Sequence, residues 1–204
     1  MSDEGGRRLA RPRGRTPAER RDLRAQSEDP AEVLDAAARL LEARPRSEDE
    51  VRRRLLRLGY PPELVEAAVG RLLALGYLDD VAFARSWVES RDRARPRGEH
   101  ALRRELGLKG VDRAVVDSVL GERRGDAADG GGSPDADEVA AERLLARRLS
   151  AIAREQDPRR RLQRAYALLA RGGFSPDVCA SVARRVLEAS AATADGEGAG
   201  HPDR

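Results

Sequence analysis

The chain has 204 residues, of which 37% are charged, yet 39 cations against 36 anions leave a net charge of only +3. Aromatic residues make up 3%, so any core must be assembled from Leu, Val and Ala, a composition that suits helices. A single cysteine excludes an internal disulfide and a cysteine-based zinc site, and no apolar run is long enough to span a bilayer. No signal peptide is read in the polar, Arg-rich first thirty residues, so a cytoplasmic location without membrane attachment is expected. Thirty-eight of the cations are arginine and one is Lys109, which reads as a bias of the whole chain rather than a phosphate-binding signature.

Residues 1–30 hold eight arginines between Arg7 and Arg24 against Glu19 and Asp22, with hardly any apolar residues. Such a segment cannot bury enough surface to fold, and a disordered basic arm is expected. It could touch nucleic acid nonspecifically or be a plain solvated tail. From Pro30, Val33, Leu34, Ala37, Leu40 and Leu41 form one helical stripe that Pro45 stops. Ser47 and Glu50 make a capping box for the next helix, lined by Val51, Leu55 and Leu58 and ended by Gly59 as a left-handed cap. Pro61 or Pro62 opens a third helix with Leu64, Val65, Ala68, Leu72 and Leu75 inward, and Gly76 as its stop.

Next, Asp79 or Asp80 caps a helix whose face carries Phe83, Ala84, Trp87 and Val88. A bend at Arg95-Pro96-Arg97-Gly98 separates it from a helix with Leu102 and Leu106 inward, ending at Gly110. Gly121–Pro134 has linker composition, and residues 190–204 read as a disordered acidic tail.

This three-helix unit recurs. Around Gly59, Gly110 and Gly173, the positions eight and four residues earlier are Val51 and Leu55, Leu102 and Leu106, Ala165 and Leu169. One residue later stand Tyr60, Val111 and Phe174; five and nine later stand Leu64 and Ala68, Val115 and Val119, Val178 and Val182. The expected architecture is all-α, three tandem three-helix repeats forming an elongated, curved modular body. The repeats are placed at residues 31–76, 77–123 and 137–189, with a Gly-rich linker at 124–136 that lets the third copy move. The helices leading the three copies are placed at Ala31–Ala43, Asp79–Arg93 and Asp137–Ser150.

No catalytic constellation emerges, and neither an enzyme nor a cofactor is expected. His100 and His201 have no partners for metal or triad chemistry. Asp79-Asp80 reads as capping rather than a paired carboxylate. Gly130–Gly132 lacks the strand and the Gly-Lys-Ser/Thr of a phosphate loop. Phe83 and Trp87 read as core rather than as base-stacking groups. The motif core expected is Phe83, Trp87, Val88, Leu102, Leu106 and Gly110. Two cationic stretches remain. Arg85–Arg104 has an excess of four positive charges, and Arg143–Arg164 an excess of six. The second spreads over several helix faces and reads as solvated surface; the first is concentrated by its bend.

Tyr77-Leu78-Asp79-Asp80, Phe83-Ala84, Trp87-Val88 and Arg91, followed by Gly98, Leu102-Arg103, Glu105-Leu106 and Lys109-Gly110, closely resemble the signature of RecX proteins, regulators of the RecA recombinase. The resemblance covers about residues 30–189. It implies a non-enzymatic protein that binds the RecA–DNA filament and limits ATP hydrolysis, strand exchange and stimulated repressor cleavage; a monomer is expected. Arg91, Arg93, Arg95, Arg97, Arg103 and Arg104 are the candidate filament or DNA contacts. Two alternatives stay open: a helix-turn-helix-like DNA-binding protein, and a general helical-repeat interaction scaffold.

Overall fold

A computed structural model gives the fold and describes residues 16–128 and 135–198. All regular structure among them is helical: α1 Pro17–Ala25, α2 Pro30–Ala43, α3 Glu48–Leu58, α4 Pro62–Ala74, α5 Asp80–Ala94 and α6 Glu99–Leu108. These are followed by α7 Arg113–Ala128, α8 Ala136–Ala146, α9 Leu149–Ala153, α10 Pro158–Gly172 and α11 Pro176–Gly198. The helices form three copies of one unit, α2–α4, α5–α7 and α8–α11, the last with its leading helix split in two.

Local chemistry explains the boundaries. Asp29 accepts a hydrogen bond from the Ala31 amide at 2.9 Å, with Pro30 at the first helical position. Asp79, not Asp80, caps α5, accepting from the Val81 and Ala82 amides at 2.8 and 2.9 Å. Pro62 opens α4. Gly59, Gly76, Gly110 and Gly173 all have positive φ, so the stop glycines inferred from the repeat do adopt the left-handed conformation.

Two compact units account for the described chain: Val51–Tyr77 packs with the chain up to Arg44, and Pro45–Glu50 with Leu78 onward. In the first, α2 packs on α4, and Val33, Ala37, Val51, Leu55, Val65 and Val69 are almost wholly buried. Tyr60 is buried there too, and its phenol donates to Glu32 Oε1 at 3.2 Å. Burial, with Glu32 nearby, pushes that phenol's pKa up.

The second unit contains two apolar clusters. One joins Phe83, Ala84, Val88, Leu102, Leu106, Val111, Val116, Val119 and Leu120. The other joins Ala140, Ala141, Leu145, Ile152, Ala165, Leu169, Phe174, Cys179, Val182 and Ala183. Burial follows the repeat more closely than the sequence pattern shows. Leu64, Val115 and Val178, five residues past the glycines, are half-buried. The deepest positions lie six and ten residues past them: Val65 and Val69, Val116 and Leu120, Cys179 and Ala183.

A joint is built twice within this unit. The Ser47 hydroxyl donates to the Lys109 carbonyl, and the Gly98 amide donates to the Gly172 carbonyl at 3.1 Å. The Glu48 amide donates to Asp80 Oδ1 at 2.9 Å, and the Glu99 amide to Asp137 Oδ2 at 3.0 Å. Ser47 and Gly98 occupy the same repeat position, as do Glu48 and Glu99, Asp80 and Asp137, Lys109 and Gly172. Each joint sets the start of a second helix against a stop glycine. A Cβ on Gly110 would overlap Asp49, and one on Gly98 would overlap the Gly173 carbonyl.

The structure differs from sequence expectation at several places. Leu75, expected inward on α4, is 48% exposed, because it is the C-cap residue beyond the helix's last turn. Pro17–Ala25 is helical where composition predicts an unstructured arm, because Thr16 and Glu19 form a reciprocal capping box. The leading helix of the third copy, expected as Asp137–Ser150, breaks after Ala146, and α9 inserts Ile152 into the core. Finally, α11 continues through Gly198 into the expected tail, carried by a run of alanines with high helix propensity. Residues 1–15 of the arm, 129–134 of the linker and 199–204 of the tail lie outside the described residues. Within the linker span, α7 runs to Ala128 and α8 starts at Ala136.

Candidate interaction surface

The Arg91–Arg104 stretch is organised around Glu105. Its carboxylate accepts from the Trp87 indole N–H at 2.9 Å and from Arg91 Nε at 2.6 Å, and Arg97 Nε stands 3.7 Å away. Trp87 is half-buried at the edge of its cluster, between two cations: Lys109 Nζ lies 4.0 Å from the ring centroid and the Arg91 guanidinium 4.4 Å. Lys109 also reaches Glu50 at 3.2 Å. Trp87 is therefore a bridge between apolar core and charged surface, whereas Phe83, Val88, Leu102 and Leu106 are buried core and Gly110 is the left-handed cap.

The six candidate arginines fall into three groups. Arg91, Arg97 and Arg103 have internal carboxylates; Arg103 pairs with Asp117 and with Glu99. The hydrogen bond to Asp117, and then that to Glu99, holds Arg103 above its ordinary pKa, and the same contact lowers Asp117. Arg93 is exposed and 3.9 Å from Glu89, the limit of an ion pair. Arg95 and Arg104 are exposed, and neither side chain pairs with a described residue. The bend itself is firm, since Pro96 is fully buried and Gly98 is fixed by its joint.

Two arginines outside the sequence-derived set matter to this surface. Arg147 donates to the Ala94 carbonyl at 2.6 Å and the Arg93 carbonyl at 3.1 Å, placing a cation at the C-terminus of α5. It thereby brings a third-copy arginine beside the second-copy bend. Arg123, with a side chain only 8% exposed, binds both Asp92 oxygens at 2.9 Å and Asp137 at 2.6 Å. Burial opposes its charge, but the bonds to Asp92 and Asp137 outweigh that and hold its pKa up. Asp137 thus serves both the joint and this buried pair. Spacing along α7 gives no sign of it, because Asp92 and Asp137 come from other helices.

Fold and surface define a class: an all-helical tandem-repeat protein with apolar repeat cores and an outer face of arginines, some paired and some not. Residues 34–72 match the first three-helix domain of RecX and residues 79–120 the second. The chain is 37% identical over 151 residues to the regulatory protein RecX of Mycobacterium avium, covering 74% of this chain and 82% of that one. It is 34% identical over 176 residues to the regulatory protein RecX of Streptomyces coelicolor, covering 86% of this chain and 88% of that one. The chain belongs to the RecX family. The crystal structure of RecX from Lactobacillus salivarius shares its fold at a TM-score of 0.65 and 18% identity, covering 78% of this chain and 96% of that one. Among the described residues, no helix is long and apolar enough to cross a membrane.

Proposed function

We infer that this chain regulates RecA by binding the RecA–DNA filament, where it limits ATP hydrolysis, strand exchange and co-protease function. The observation that carries this reading is the kinship with regulatory proteins RecX, which extends over 151 residues or more. The bend supplies a physical means: Arg95 and Arg104, exposed and without internal carboxylates among the described residues, can meet acidic protein surface or DNA phosphate. The protein acts as a monomer in the cytoplasm, without a cofactor. The test is RecA-catalysed ATP hydrolysis on single-stranded DNA with this protein titrated in. The rate is expected to fall at substoichiometric protein; an unchanged rate at equimolar protein removes the proposal.

A further inference from the structure

On the first unit, α1 covers the stop glycine as the joints cover Gly110 and Gly173 in the second. A Cβ on Gly59 would stand 2.7 Å from Arg21 Cγ and 2.8 Å from the Arg21 carbonyl oxygen. Arg24 holds its guanidinium 5.6 Å from the centroid of Tyr60, the buried residue that follows this glycine. The helix therefore has a defined seat, and its arginines have defined places.

Between α1 and the end of α3 lies an open cleft lined by Arg20, Arg21, Arg24 and Arg57, with Asp22 the one carboxylate among its described lining residues. Several arginines elsewhere meet acidic partners, as Arg52 does Glu66, Arg85 does Glu122 and Arg185 does Glu142. None of the four cleft arginines forms an ion pair with a described residue. Arg57 uses its Nε on the Arg53 carbonyl at 3.2 Å, and Arg24 faces the Tyr60 ring. Four guanidinium groups around one cleft, opposed by one carboxylate among the described lining residues, repel one another until a polyanion enters. Guanidinium pairs with phosphate through two parallel hydrogen bonds, and several at once suit a chain of phosphates better than a single small anion.

We propose that the α1–α3 cleft binds the phosphate backbone of a nucleic-acid strand. The site is separate from the Arg91–Arg104 surface, and its test needs no RecA, so the two readings stand or fall independently. The full-length protein is titrated into a labelled mixed-sequence single-stranded oligonucleotide, and anisotropy is followed at several salt concentrations. Arg20→Gln/Arg24→Gln/Arg57→Gln is expected to weaken binding by about tenfold or more at low salt. It should flatten the plot of log affinity against log salt by about 2, since each lost contact on a single strand contributes ~0.7. Arg159→Gln/Arg160→Gln/Arg171→Gln on α10 removes the same charge elsewhere and should bind nearly as wild type. Circular dichroism melting establishes that both variants are folded. Unchanged affinity and slope in the cleft variant, or an equal loss in the α10 variant, overturns the proposal. Binding of inorganic triphosphate without binding of the oligonucleotide also overturns it, because the cleft then takes small phosphates rather than a strand.

Discussion

Glycines at the joints do different work from glycines that only end a helix, and single substitutions separate the two. Gly76 has φ +73, and no atom lies within 4 Å of the place an added methyl group would take, so Gly76→Ala meets only the left-handed backbone. Its cost should be about 1 kcal/mol. Gly98 has φ −75, which alanine adopts freely, but its added methyl would strike the Gly173 carbonyl. Gly98→Ala should therefore lose about 1–3 kcal/mol through overpacking alone. Gly173 has φ +85 and a Cβ direction occupied by Ala101, so Gly173→Ala combines both penalties and should cost the most. Guanidinium unfolding of the three variants gives the order. Gly98→Ala matching wild type would show that the close approach there is not a structural constraint. The stop glycines are legible in the sequence because a left-handed cap needs a residue without Cβ, and the repeat marks where. Gly98 is not legible in this way: the need arises from a backbone seventy-five residues away, beyond any local pattern.

Among the elements, α7 and α8 are tied through Arg123, which sits between Asp92 of α5 and Asp137 of α8. Removing one member of a buried charge set strands the others, so Arg123→Met should destabilise by about 3–5 kcal/mol. Arg85→Met, which removes an exposed pair with Glu122, should leave the unfolding midpoint essentially where it is. Equal midpoints for the two variants would place Arg123 among ordinary surface arginines. The sequence shows most helices because their apolar faces recur at 3.6-residue spacing and their starts carry Asp, Ser or Pro. It hides α1, although Thr16-Pro17-Ala18-Glu19 has the same capping signature as Ser47-Glu48-Asp49-Glu50. Composition argues for disorder there, and the buried support at Gly59 comes from another part of the chain. The split of α8 and α9 is hidden for a related reason. The third copy has six more residues between its leading helix and its glycine, and a continuous apolar pattern conceals where they are spent.

Across the whole molecule, a net charge of +3 says little, because the positive charge open to a partner is set by which arginines are left over after internal pairing. Counting along Arg85–Arg104 treats its arginines alike; Glu105, Glu99 and Asp117 then claim Arg91, Arg97 and Arg103. Those three hold the scaffold, while the side chains of Arg95 and Arg104 pair with no described residue. Two double variants distinguish these roles. Arg95→Glu/Arg104→Glu should retain the wild-type melting temperature but weaken inhibition of RecA-catalysed ATP hydrolysis by on the order of tenfold, most strongly at low salt. Arg97→Glu/Arg103→Glu sets new negative charge against Glu105, Glu99 and Asp117, so it should lower the melting temperature before any effect on a partner can be read. Inhibition by Arg95→Glu/Arg104→Glu equal to wild type at every salt concentration would exclude the bend as the contact. The recognising surface would then lie among arginines that helical periodicity alone does not single out.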